Sequence, residues 1–259
     1  MDLGLKDKVA IVTGGASGIG EAIVRVLAEE GAKPIILDKN REKADALAQE
    51  LVAEGHHISV HILDLRRENA CQDVVEEIIE TYGSIDILIN NAGVNDSVDL
   101  DRPMKDFVES LEKNLYHVVT MTRLCVPHLR YSKGAIVNIG SKVSVTGQGN
   151  TTGYAAAKGA IHALTREWAV RLLKDGIRIN EVLPAETWTP LYEQWINSMP
   201  DGQERLKEIV ARIPLGKRMT TSREIADTVV FLASDRASHI TGQQIFVDGG
   251  YTHLDRAIR

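Results

Sequence analysis

Seven short runs made largely of valine, isoleucine and leucine recur along the chain: KVAIVT (8–13), PIILD (34–38), ISVHILD (58–64), DILIN (86–90), AIVNIG (135–140), IRINEVL (177–183) and QIFVD (244–248). A strand with one wet face alternates apolar and polar residues. Nearly continuous apolar runs belong to strands covered on both faces, as in parallel sheets. Helix-length segments lie between them, around 18–30, 41–54, 67–82, 105–130, 152–174 and 222–233. Strand–helix alternation with right-handed crossovers predicts an α/β, doubly wound parallel sheet with helices on both faces, its ligands at the carboxyl ends of the strands. Pro34 conflicts mildly with the second strand and is tolerated at a first strand position. No Pro/Gly/Ser-rich linker divides the 259 residues, so a single domain is expected over 1–259. The stretch 184–221 breaks the rhythm. It reads as two short helices inserted before the last one, the form of a lid or substrate loop.

Charge and composition exclude several functions. A net charge of −6 leaves no footprint for nucleic acid or an anionic membrane. No apolar run approaches the ~20 residues of a membrane span. The start, MDLGLKDK, lacks the apolar stretch of a secretory signal, which predicts a cytoplasmic protein. Cys71 and Cys125 fall in helical patterns and read as buried thiols. His56, His57 and His61 lie in or before the third strand, where alternation splits them across faces, and no metal-ligand spacing occurs; no metal is expected.

Between the first strand and the first helix stands TGGASGIG (13–20). Gly14, Gly18 and Gly20 let the backbone approach a pyrophosphate, and the helix N-terminus adds free N–H groups and the positive dipole end. Asp38 ends the second strand, placed to accept from adenosine ribose hydroxyls and to repel a 2′-phosphate. Gly15 and Ala16 put no basic side chain in the turn. NAD is therefore expected over NADP, with Lys39 and Arg41 just beyond Asp38 keeping NADP possible.

Further on, Tyr154 and Lys158 stand four residues apart in GYAAAKGA, thirteen after Ser141. On a helix such a pair shares one face. A tyrosine of pKa ~10 is a poor base at neutral pH, and a neighbouring cation favours its phenolate. With a serine hydroxyl to hold the reacting oxygen, the set predicts an enzyme that moves a proton while a nucleotide cofactor takes a hydride.

TGGASGIG, NNAG (90–93), Asn114, Ser141, Tyr154-x-x-x-Lys158 and VDGG (247–250) together resemble the short-chain dehydrogenase/reductase superfamily, over nearly the whole chain. The resemblance implies a single-domain, Rossmann-like, seven-stranded parallel sheet, a nicotinamide cofactor, a Ser-Tyr-Lys-Asn tetrad and usually a homotetramer. It implies that Asn114 anchors a water passing the proton onward behind Lys158, and that Lys158 also binds the nicotinamide ribose. Around the cofactor it points to Ser17 and Ile19 in the turn, Asp64 beside the adenine with Leu65, Asn90 lining the channel with Ala92 and Gly93, and Pro184, Thr187 and Thr189 near the carboxamide. One departure is visible: Ala185 stands where the family usually has glycine after the proline. The small residues of 152–174 fit a subunit interface or close packing within the chain.

The expected pocket is polar. Asn95 and Asp96 follow NNAGV, Gln148 and Asn150 precede Tyr154, and Glu186 follows Ala185. These donors and acceptors suit a substrate with several hydroxyls. Trp188, Tyr192 and Trp195 suit either stacking on a sugar ring or closing the lid's own core. The segments NNAGVND, TGQGNTTGY, LTREWAV and YTHLDRA resemble the bacterial L-fucose dehydrogenase branch of the superfamily. That implies oxidation of the C1 hydroxyl of L-fucose or a similar aldose to the lactone. The alternatives are a 3-oxoacyl-carrier reductase using NADPH and a non-catalytic dinucleotide sensor. The tail with His253, Asp255 and Arg256 either lies on the surface or reaches a neighbouring active site.

Overall fold

The computed structural model describes residues 2–254. Seven parallel strands form one sheet in the order β3-β2-β1-β4-β5-β6-β9. They are β1 Val9–Thr13, β2 Lys33–Asp38, β3 Ser59–Ile62, β4 Ile87–Asn90, β5 Ala135–Ile139, β6 Arg178–Pro184 and β9 Gln244–Val247. Each of the seven apolar runs is one of these strands, within a residue or two. Pro34 is the second residue of β2, and it causes no conflict because β3 begins to pair only at Ile35.

Alternation along the strands builds two cores. Ala10, Val12, Ile36, Ile87, Ile89, Val137 and Val182 face one side, against α1 Gly18–Glu29, α2 Arg41–Ala53 and α9 Ser222–Ala233. Val9, Ile11, Ile35, Leu37, Leu88, Ile136 and Ile179 face the other, against α3 Glu68–Tyr82, α5 His117–Ser132 and α6 Thr152–Leu172. A residue such as Ile11, with no exposure, contributes roughly 2–5 kcal/mol beyond an alanine there. Chain chemistry fixes the helix ends. Asn40 caps α2 by accepting from the Lys43 N–H at 3.0 Å, and Gly83 ends α3 in the left-handed region at φ 75°.

Two features lie beyond the sequence reading. The expected helix 105–130 is α4 Met104–Leu111, a π-helical turn at Glu112–Tyr116, and α5 in continuous succession. The insertion carries α7 Pro190–Asn197 and α8 Gly202–Ala211, as anticipated, but is also tied down. A two-residue parallel ladder pairs β7 Thr187–Trp188 with β8 Thr220–Thr221. No helix among the described residues is long and apolar enough to cross a membrane.

Candidate active site

Because all seven strands run the same way, the turns after β1, β2, β4, β5 and β6 open on one edge. The glycine turn follows β1. Gly14 and Gly18 adopt φ of 64° and 60°, and a Cβ on Gly20 would stand 2.0 Å from the Gly14 carbonyl. Asp38 clips this turn: one carboxylate oxygen accepts from the Ala16 N–H at 3.1 Å, the other from Asn40 at 2.9 Å. Each oxygen keeps a lone pair for a further donor. Ser17 is the N-cap position of α1 but leaves its hydroxyl uncommitted to the cap, and Ile19 starts the helix beside it.

Asn91, which the sequence reading passed over, stitches the second wall to the first. Its Nδ2 donates to the Thr13 and Gly14 carbonyls, both at 3.0 Å, while the Thr13 hydroxyl accepts from the Asn91 and Ala92 N–H groups. Its neighbour Asn90 behaves differently. The Asn90 amide is buried and donates to Thr122 and Asn138 inside the fold, so its side chain does not line the channel. Only its backbone is available there. Asp64 and Leu65 follow β3, with Asp64 held well below the usual carboxylate range, at about 2, by hydrogen bonds from the Arg66 guanidinium.

Ser141, at the end of β5, caps the short turn Lys142–Ser144. Tyr154 and Lys158 project from α6, and Lys158 Nζ lies 5.6 Å from the Tyr154 ring centroid. Ser141 acts on the Tyr154 hydroxyl in the direction that favours the phenolate. Lys158 is buried and donates to the Ile139 carbonyl at 2.6 Å. Asn114 sits in the π-helical turn with no exposure. Its Oδ1 accepts from the Val94 N–H at 2.7 Å and its Nδ2 donates to the Ser110 carbonyl at 3.0 Å. A Cβ on Gly93 would meet Asn114 Oδ1 at 3.1 Å and Lys158 Nζ at 3.6 Å, so these three residues converge on one point. π-turns of this kind are often found at functional sites.

The proton energetics differ from the sequence expectation. Burial pushes Tyr154 up to about 12, opposed by Ser141. Burial also brings Lys158 down to about 8, opposed by the charge of Glu181. A lysine that lowers the phenol's pKa is therefore not what the geometry alone delivers. The ammonium is spent on a carbonyl, and burial is the largest cause of the shift of each group.

After β6 the chain turns through Pro184 and Ala185 to Glu186, Thr187 and Thr189. The Thr187 hydroxyl is buried and without a hydrogen-bond partner among the described residues. An orphaned buried hydroxyl just after β6, the glycine cradle and the Asp38 carboxylate together fit a dinucleotide. Thr189 caps α7 and packs against Gly18, where an added Cβ would lie 3.6 Å from its side chain.

Of the residues expected around the substrate, Asn95, Gln148, Asn150 and Trp188 are exposed. Glu186 is not a free acceptor. One oxygen is ion-paired with the nearly buried Lys142, and the other accepts from the Tyr192 hydroxyl at 2.6 Å. The Tyr251 ring lies 4.4 Å beneath the same ammonium. Lys142, next to Ser141, and Tyr251 carried no periodic or motif signal in the sequence. Tyr192 and Trp195 pack edge to face at 5.2 Å, and Trp188 lies 6.3 Å from Tyr192. His253 packs edge-on against Phe246; Asp255 and Arg256 lie outside the described residues.

The family described as Enoyl-(Acyl carrier protein) reductase matches residues 14–252. The chain belongs to the short-chain dehydrogenase/reductase family. It is therefore an oxidoreductase of the kind that binds NAD or NADP. It is 39% identical to the L-fucose dehydrogenase of Bos taurus over 94% of its own length and 88% of the relative's. It is 36% identical to the 3-oxoacyl-[acyl-carrier-protein] reductase FabG of Thermotoga maritima, over 95% of this chain and 98% of that one. Among solved structures, the Cj0485 dehydrogenase superposes with a TM-score of 0.95 at 43% identity, covering 100% of this chain and 99% of the other.

Proposed function

We propose that this protein oxidises the C1 hydroxyl of an aldopyranose, L-fucose or a stereochemical relative, to the lactone, using NAD in preference to NADP. The observation that carries the reading is the convergence of Lys158 and Asn114 on Gly93, with Tyr154 one turn before Lys158 on α6 and Ser141 in the turn after β5, at the edge where the glycine turn opens. A bound nicotinamide cofactor supplies the acceptor for the hydride and, when oxidised, a positive charge.

Gly14, Ser17, Gly18, Ile19 and Gly20 would hold the pyrophosphate. Asp38 would hold the adenosine ribose, Asp64 and Leu65 the adenine, and Asn90 by its backbone, Ala92 and Gly93 the channel floor. Pro184, Thr187 and Thr189 would hold the carboxamide end, with the orphaned Thr187 hydroxyl as donor. Ser141 donates to the reacting oxygen and orients it. Tyr154 takes the hydroxyl proton. Burial opposes the phenolate this requires, and the Lys158 ammonium on the same helix face is the positive charge of the chain that favours it. Asn114 fixes the floor beneath Lys158 through its two backbone bonds.

Asn95, Gln148, Asn150 and Trp188, with Tyr192 and Glu186, offer polar groups to a substrate with many hydroxyls. Likeness to the bovine L-fucose dehydrogenase supports the sugar. The homotetramer rests on the resemblance to the family, and light scattering would measure it.

A second reading, a 3-oxoacyl-carrier reductase using NADPH, is favoured by likeness to the Thermotoga maritima enzyme. Following NAD and NADP reduction over a panel of aldoses, with NADPH oxidation by a 3-oxoacyl thioester as the opposing arm, separates the two. Turnover of an aldose is expected; turnover of the thioester alone would replace the sugar reading.

A further inference from the structure

Behind the tetrad lies a carboxylate that the proposed reaction does not use. Glu181 sits in the middle of β6 with no solvent exposure. A Cβ on Gly140 would stand 2.1 Å from its Oε1, so the bare glycine is what leaves room for the carboxyl group. Gly140 directly follows Ile139, whose carbonyl accepts the Lys158 ammonium. Carboxylate and ammonium are thus set against consecutive residues, Gly140 and Ile139, at the end of β5. Glu181 Oε2 lies 2.9 Å from Nδ1 of His162, one helical turn beyond Lys158 on α6, while Oε1 has no hydrogen-bond partner among the described residues.

Burying a carboxylate costs several kcal/mol, and a single bond to a neutral imidazole offsets only part of that. The rest calls for a positive charge. The groups facing Glu181 are Lys158, His162 and Arg166 of α6 and the Gln244 amide of β9, with Gly140 of the turn after β5. Arg166 is exposed and screened by solvent. Lys158 is the buried cation of this set.

We propose that Glu181, supported by His162 and accommodated by Gly140, is a positioning residue that keeps the Lys158 ammonium charged and in place beneath Tyr154 during proton transfer. The inference rests on the tetrad reading above, not on the identity of the sugar. Burial raises Glu181 to about 7 and lowers Lys158 to about 8, and each charge resists the other's shift. Each charge therefore favours the ionised form of the other. Tyr154 responds to burial and Ser141, with no contribution from Glu181.

The test is the pH profile of kcat/KM for Glu181→Gln, with whichever alcohol the unaltered enzyme oxidises. The alkaline limb is expected to move to lower pH by about one unit while the acidic limb stays. His162→Ala, which removes a donor to the carboxylate, should move the same limb the same way by less. An alkaline limb that stays put in both variants, even with activity scaled down throughout, overturns the proposal.

Melting temperatures of cofactor-free Glu181→Gln, Lys158→Met and the double variant at about pH 7.5 supply a readout independent of activity. Glu181→Gln should lower Tm in the native background and be neutral or stabilising once Lys158 is gone; additive effects also overturn the proposal. Failure of the tetrad reading shows separately, as a Lys158→Met enzyme that still turns over.

Discussion

Tyr154 shares a helix face with Lys158, whose ammonium lies 5.6 Å from its ring centroid, and removing the phenol oxygen leaves that ring in place. Tyr154→Phe is expected to cut kcat by roughly 10²–10⁴ and leave cofactor affinity within about twofold, read by steady-state rates beside a fluorescence titration. A non-catalytic nucleotide sensor would be untouched by that change. Lys142, next to Ser141, makes a second test. Its pair with Glu186 is nearly buried, and Glu186 in turn holds the Tyr192 hydroxyl of α7. Lys142→Met leaves a buried carboxylate unpaired, which costs about 3–5 kcal/mol, whereas Lys142→Met with Glu186→Met restores much of it. Urea unfolding of the two variants checks this, and the single variant should raise KM for the substrate more than it lowers kcat, because the anchorage of α7 rather than the proton path is loosened.

The strands and helices were legible because burial on both faces leaves a compositional mark, and their ends because Asn40, Gly83 and the turn glycines each have a local physical reason to stand where they do. What stayed hidden has no period or composition to betray it. The β7–β8 ladder is two residues long, and the π-turn around Asn114 differs from an α-helix only in where its carbonyls point. That Tyr154 and Lys158 share one face of α6 was readable as spacing. The Lys142–Glu186–Tyr192 cluster was not, since it joins the turn after β5 to the insertion 44 residues on. The lowered phenol expected from the Tyr154–Lys158 spacing failed for a similar reason: spacing says that two groups meet, not how dry the meeting place is. The glycine turn makes its own prediction. Gly20→Ala would place a methyl 2.0 Å from the Gly14 carbonyl, which backbone movement alone relieves. Cofactor affinity should fall at least about tenfold, a loss of about 1.4 kcal/mol or more, in a protein whose circular dichroism is unchanged.

The fold as a whole buries two titratable groups whose effects on acid stability oppose one another. His117, at the start of α5, is buried, bonded through Nε2 to the Lys113 carbonyl, and held down at about 4 by burial. Below the ordinary imidazole pKa of 6.5 the unfolded chain takes up a proton that the folded one refuses, so stability falls as pH drops from 6.5 toward 4. Glu181 acts in the reverse sense. Its folded pKa of about 7 exceeds the ordinary 4.5, so the folded chain binds the extra proton and gains stability as pH falls across that window. Between pH 7 and pH 5 each amounts to about 2 kcal/mol by linkage, and the two nearly cancel. Urea midpoints at those two pH values resolve them. His117→Gln should lose less stability on acidification than the unaltered protein, and Glu181→Gln should lose more, since each variant leaves the other group's slope uncompensated. Parallel slopes in all three proteins would mean that neither group is as deeply desolvated as its position in the fold requires.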